Sequence, residues 1–401
     1  MRIFIFRNKE IILLCIGIFL LIFFFTFLPK IFSEHYISNG SLLLYSNATT
    51  STQVIFTPTY VSVPNEVKGV YMTSWVAGSK NLRENLVKII DDTEINTIVI
   101  DIKDYTGKIV FSVGSSKLKS YGSEDIRVSD LRDFIESLHK KGVYVIGRIA
   151  VFQDAYFVKF RPDLAVKNKL GTEVWKDRKG ISWIDPASLE YWDYIILLAK
   201  ESRKIGFDEI NFDYIRFPSD GNMEDISYPW SSTTPKAIVL KDFFKYLQEK
   251  LRDSGLKTSA DLFGMTTTSK NDMGIGQVLE NTLPYFDYVS PMVYPSHYPP
   301  SFGGFENPEA NPYAIIKYSM EEAVKRADIF EQMASTTNPI VNSVHYKDKL
   351  RPWLQDFGLK VTYGSAEVRA QIKATNDVCL DSWLLWSASY KYTRGALDSE
   401  Q

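Results

Sequence analysis

Gly206–Gly221 reads GFDEINFDYIRFPSDG, and how this stretch is read decides the fold. Side chains alternate along a strand, so Ile210, Phe212 and Tyr214 take one face while Asn211, Asp213 and Ile215 take the other. An apolar strand with an Asp near its C-terminal end must give that carboxylate partners or chemistry. Arg216 follows at once, and Phe217-Pro218 stops the strand, since proline has no N–H for a ladder. Ser219-Asp220-Gly221 is turn chemistry. A carboxylate and a guanidinium therefore emerge together where a strand ends, which is where β/α barrels build their sites. The competing reading is a buried Asp213–Arg216 ion pair that only holds the strand.

Working outward from this strand, segments of strand and helix character alternate, the mark of parallel α/β architecture. Strands are expected at 69–75, 97–103, 143–149, from Gly206 into the opening stretch, 257–263, 288–294, 350–357 and 380–387. Helices are expected at 81–92, 130–141, 188–204, 236–254, 312–333 and 366–375, with apolar residues at helical spacing. Eight strand-like segments over about 330 residues predict a (β/α)₈ TIM barrel with long loops. The longest excursion, 155–186, holds Trp175, Trp183 and Asp185, and Asp185 is read there as a helix N-cap.

N-terminal to the barrel the composition changes. Residues 1–10 carry Arg2, Arg7 and Lys9, and 11–28 are 18 residues without a charge. That length meets the roughly 17–25 residues a spanning helix needs, and the basic flank keeps the N-terminus cytoplasmic. No small-residue cleavage pattern follows, so an uncleaved signal anchor is expected over a secretory signal peptide. Residues 29–65, rich in Ser, Thr, Asn, Tyr and Pro, read as a linker, leaving 66–401 as the barrel domain outside the cytoplasm. A net charge of -2 excludes a nucleic-acid binder's basic balance. Two cysteines, Cys15 and Cys379, form no disulfide framework, and the four histidines show no metal-ligand spacing. No cofactor is expected.

Polar and aromatic residues converge at the strand ends. Asp213, Asp261 and Asp101 are the candidate catalytic carboxylates, since glycoside hydrolysis needs one carboxyl as acid and another as base or nucleophile. Asp213 is read as the nucleophile or principal carboxylate and Asp261 as first choice for the acid/base, with Asp101 second. Arg148 and Arg216 are expected to orient them. Trp75, Tyr294 and Trp386 are expected to stack sugar rings, with Met292 and Asp104 beside them. Each has a structural alternative: Trp386 as core, Asp104 as a turn residue, Tyr294 as a bond within the barrel. An oxygen-ligated divalent cation on Asp101, Asp104, Asp213 and Asp261 is the weaker alternative chemistry.

The motifs FDYIRFPSDG, VIDIKDYTG, RIAVFQD, WIDP, SADLFG, VSPMVYPSHY, RPWLQDF and WLLWSAS resemble, in order, a bacterial family of glycoside hydrolase domains, membrane-anchored or secreted. The resemblance spans 67–394 and implies a TIM barrel similar to retaining α-glycosidases but no particular substrate; a polysaccharide or cell-wall glycan is expected from the carboxylates, arginines and aromatic residues that converge at the strand ends. A second similarity runs to chitinase-like family 18 barrels, whose fourth strand reads D-G-x-D-x-D-x-E. Asp208, Asn211 and Asp213 fall on its three Asp positions and Met292-Val293-Tyr294 on its M-x-Y. Ile215 stands at the catalytic Glu position, Glu209 replaces the Gly, and Pro295 replaces an Asp or Asn, which argues against substrate-assisted chemistry. The same departure keeps a non-catalytic sugar-binding barrel, or another hydrolase such as a deacetylase, as the rival readings.

Overall fold

A computed structural model describes residues 56–337 and 345–399. The expected signal anchor at 11–28, and the basic tail and most of the linker around it, lie outside the described residues. Eight parallel strands close into a barrel in sequence order. They are β1 (Lys68–Met72), β2 (Thr97–Lys103), β3 (Tyr144–Ala150), β4 (Glu209–Asp213), β5 (Lys257–Phe263), β6 (Tyr288–Met292), β7 (Trp353–Gln355) and β8 (Trp383–Trp386). β1 pairs with both β2 and β8, which seals the ring and leaves no edge.

Alternation along each strand sorts side chains between two cores. In β2, Ile98, Ile100 and Ile102 join the outer cluster beneath the helices, while Val99 faces the barrel interior with Tyr71, Tyr144, Ile146, Trp353 and Leu384. β4 divides the same way: Ile210 and Phe212 pack outward, and Glu209, Asn211 and Asp213 make their polar contacts with neighbouring strands. Burying one such Ile or Phe is worth about 1.5–3 kcal/mol, so a one-residue register slip is heavily penalised.

Helices Lys80–Asp92, Leu131–His139, Leu189–Arg203, Lys236–Leu251, Pro312–Thr337 and Ser365–Asn376 cover the barrel, with the 3-10 turn Gly264–Thr267 and the short helix Leu279–Thr282 between β5 and β6. The floor is closed by a buried Glu209–Arg351 ion pair, to which the Tyr144 hydroxyl donates at 3.1 Å. Val61 and Val63 pack against the interior cluster, and the Val61 N–H donates to Asp208 Oδ1 at 2.8 Å. Thr57–Gln401 form one compact unit.

Three boundaries differ from expectation for local reasons. The first strand stops at Met72 because the Thr73 hydroxyl caps a short helix, Ser74–Gly78, at its Val76 N–H. β7 starts only at Trp353, after Pro352, which cannot donate to a ladder. β8 starts at Trp383 because Leu380 still bonds back to Thr375 at the end of the preceding helix. Asp185 caps no helix: its carboxylate accepts from the Ala187, Trp230 and Ser231 N–H groups and pins the excursion to the loop after β4.

Candidate active site at the C-terminal end of the barrel

A cavity of about 520 Å³ opens at the C-terminal ends of the strands. Strand ends supply Arg148 (β3), Asp213 (β4), Asp261 (β5), Met292 (β6), Trp353 (β7) and Trp386 (β8), and Tyr294 and Arg216 come from the loops just beyond.

The two cavity carboxylates sit in unlike surroundings. Asp213 Oδ2 accepts from Arg148 Nη2 at 2.5 Å and Nε at 3.1 Å, and its Oδ1 accepts from the Tyr214 N–H at 2.5 Å. Both oxygens are thus tied to donors, one of them a guanidinium. Asp261 is 2% exposed and ion-paired with nothing among the described residues. Its Oδ1 accepts from Asn211 Nδ2 and from Trp353 Nε1, each at 2.8 Å, and its Oδ2 makes no bond to the described residues. Burial, then the neighbouring charge of Asp213, push Asp261 up to about 8. Its neutral form is thereby favoured, and Oδ2, with no bond to the described residues, is the oxygen left for a proton.

Asp101 does not line the cavity. Buried below it, Asp101 accepts from Arg148 Nη1 at 2.7 Å and from the Tyr71 hydroxyl at 2.7 Å. Burial raises it above the ordinary carboxylate range. Arg148 spans Asp101 and Asp213, so Asp101 fixes the guanidinium that fixes Asp213.

Tyr214 forces the geometry at the end of β4. Its φ of 52° lies in the left-handed region, where a bulky side chain costs of order 1–3 kcal/mol. That turn ends the strand at Asp213 and frees the Tyr214 N–H to hold its carboxylate. Ile215, at the position of the chitinase glutamate, is fully buried in the outer core.

Aromatic rings wall the other side. Tyr294 and Trp386 lie 5.6 Å apart at 32°, and Phe357 meets both edge-on. Trp383, one residue out of phase with Trp386, is fully buried beneath the helices.

Two more expected site residues, Trp75 and Asp104, lie off the cavity. Trp75, carried outward on the helix Ser74–Gly78, is 64% exposed, lies under the Arg127 guanidinium at 4.5 Å and does not line the cavity. Asp104 also lies off the cavity: burial would raise it, but hydrogen bonds from Thr106 and Arg127 outweigh that and hold it below its usual range. Arg216 lines the cavity but forms no ion pair with Asp213; Arg148 alone does that work. Asn211 and Trp353, which hold Asp261, stand outside the catalytic and sugar-binding sets expected from the sequence, although the β4 alternation that faces Asp213 inward faces Asn211 inward too. Trp353 falls among the residues expected at the end of the seventh strand, but its contact with Asp261 reaches across the intervening β6 and depends on the curvature of the barrel.

A family model described as "Putative glycosyl hydrolase domain" matches residues 69–392. No curated protein matches the chain. Among solved structures, a hypothetical protein from Ruminiclostridium thermocellum is 33% identical, covering 48% of this chain and 96% of that one, with a TM-score of 0.44. The PgaB (BpsB) glycoside hydrolase domain from Bordetella bronchiseptica shares the fold at 12% identity, covering 84% of this chain and all of that one, with a TM-score of 0.59. Alpha-L-fucosidase isoenzyme 2 from Paenibacillus thiaminolyticus shares it at 13% identity, covering 82% of this chain and 48% of that one, with a TM-score of 0.53.

Proposed function

The chain belongs to the family of glycosyl hydrolase domains matched over residues 69–392, and on that premise we propose that it hydrolyses a glycosidic bond in a polysaccharide or cell-envelope glycan. The observation that carries the reading is the inequality of Asp213 and Asp261. Hydrolysis needs one carboxyl that still holds a proton and one that does not. Asp261 is the acid: Oδ2 gives its proton to the leaving glycosidic oxygen as the bond to the anomeric carbon breaks. Asp213, clamped by Arg148, faces the positive charge that develops on the sugar, as nucleophile or as base toward water. Water then supplies a hydroxyl to the anomeric carbon; its proton returns to the deprotonated Asp261 if Asp213 was the nucleophile, or goes to Asp213 if that is the base, with exchange through solvent restoring the proton on Asp261. Tyr294 and Trp386 offer ring faces to the apolar faces of sugars, and Met292 fills the wall between β5 and β7. The reading invokes no cofactor.

The uncharged run at 11–28 behind a basic tail supports a single-pass anchor with the barrel outside the cytoplasm. Protease added to intact cells should then clip the barrel domain from the surface; full protection until lysis would contradict it.

The testing experiment is a reducing-end screen of the full-length chain, wild type beside Asp213→Asn and Asp261→Asn. It should span α- and β-linked polysaccharides, peptidoglycan and teichoic-acid-type polymers. Release by the wild type, cut about 10²–10⁴-fold in each variant, is expected. Equal release by all three would remove both carboxylates from the mechanism. No release with retained glycan binding would favour the non-catalytic reading, which Ile215 at the chitinase glutamate position keeps in view.

A further inference from the structure

Arg216 is not used by the mechanism above, and its environment needs explaining. It is 8% exposed and lines the cavity that holds Asp213 and Asp261. Three rings surround its guanidinium carbon: Phe263 at 4.6 Å, Trp183 at 4.8 Å and Tyr214 at 5.4 Å. Nη1 donates to the Phe217 carbonyl and to Ser219 Oγ, both at 3.1 Å. Nε and Nη2 donate to nothing among the described residues, and no carboxylate there forms an ion pair with Arg216. Nor are those two atoms among the buried side-chain atoms sealed away without a partner, as Arg351 Nε is. Arg216 lines the cavity, which places this unpartnered edge within reach of a ligand there.

A guanidinium stays charged inside proteins, and a charge removed from water without a counter-charge is costly. Arg148 and Arg351 meet that cost with carboxylates on their own barrel. Arg216 makes no contact ion pair among the described residues; burial lowers its proton affinity and outweighs Asp213, Asp220 and Asp177, which act on it only from a distance. The rings hold its plane, and the loop after β4 takes one nitrogen. What remains is the Nε–Nη2 edge, the fork that matches two oxygens of one anionic group. The exposed Lys179 lines the same cavity and forms no ion pair among the described residues. Arg148 already serves both Asp101 and Asp213, so the Nε–Nη2 edge of Arg216 and the Lys179 ammonium are left without a contact carboxylate among the described residues and are available to a ligand.

We propose that the glycan is acidic, and that the Nε–Nη2 edge of Arg216 binds an anionic oxygen pair (carboxylate, sulfate or phosphate) on a sugar held in the same cavity as Asp213 and Asp261. This rests on the glycan-hydrolase reading of that cavity and narrows its substrate class.

The test is saturation-transfer NMR titration of the full-length protein with D-glucuronate, glucose 6-sulfate and glucose 6-phosphate, each against D-glucose at matched ionic strength. At least one anionic sugar should bind about tenfold or more tightly than glucose, the worth of a hydrogen bond to a charged group. Which of the three it is distinguishes carboxylate from sulfate and phosphate. Arg216→Gln should erase the preference and Arg216→Lys should keep part of it, so the pair stays informative if one variant folds poorly. Equal binding of all four sugars, no binding of any, or a preference retained in Arg216→Gln would overturn the proposal. Anion preference without hydrolysis of any glycan would leave the anion site standing and remove the hydrolase reading. Hydrolysis of neutral glycans at full rate by Arg216→Gln would do the reverse.

Discussion

A carboxyl with an ordinary value near 3.9 that is raised to about 8 makes two measurable demands on the molecule. The first is on rate. The acid must be protonated, so kcat/KM should fall as pH rises through about 8, an alkaline limb in the pH profile of the wild type. A profile flat through that range would mean another group delivers the proton. The second demand is on stability. Between pH 4 and 8 the folded chain keeps a proton that the unfolded chain has lost, so this group's contribution is complete below about pH 4 and is lost as pH rises toward 8. An asparagine at 261 keeps an Oδ1 acceptor for Asn211 and Trp353 and never ionises. Asp261→Asn should therefore raise the melting temperature, more at pH 9 than at pH 5, while activity falls. A gain equal at both pH values would contradict the raised ionisation.

The strand ends place the site, and their spacing leaves little slack. A Cβ added at Gly264, just past β5, would come within 2.5 Å of the Met292 carbonyl and 2.7 Å of the Tyr298 hydroxyl. Gly264→Ala should push the exits of β5 and β6 apart and cut kcat/KM by about 10²-fold, since displacements near 1 Å cost that much. Circular dichroism should show the barrel intact. Unchanged kinetics would mean these exits do not set the geometry.

Strand periodicity made most of this architecture readable from sequence. The runs of β2, β4 and β5 alternate cleanly, and β2 and β5 fall on the residues expected. β1 and β7 are shorter than expected because Thr73 and Pro352 act through a cap and a missing N–H, single-residue effects that hydrophobic patterning does not register. The same cap carries Trp75 outward from the strand end. Asp213 and Asp261 reach one cavity because parity and strand order suffice to predict it. That Arg148 rather than Arg216 clamps Asp213 depends on the left-handed turn at Tyr214, which nothing in a Tyr-Ile-Arg tripeptide announces.

At the scale of the molecule the barrel separates its two ends. The C-terminal end holds the site, and the floor holds Glu209, Arg351 and Tyr144, fully buried, with Arg351 and Tyr144 both bonded to the Glu209 carboxylate. Arg351→Met leaves a buried carboxylate unpaired and should cost about 3–5 kcal/mol in denaturant unfolding. Specific activity of the folded fraction should stay near wild type, because no floor residue lines the cavity. Loss of activity without loss of stability would mean that the two ends are coupled.

The central claim is that Asp261 holds a proton in the resting enzyme while Asp213 is paired with Arg148. Infrared difference spectroscopy of wild type against Asp261→Asn tests this before any substrate is known. The account predicts a protonated-carboxyl band at pH 6 that is absent from the variant and titrates away near pH 8, with a lower midpoint when Asp213→Asn removes the neighbouring charge. No such band at pH 6 would leave Asp261 ionised beside Asp213, and the assignment of acid and partner would fall.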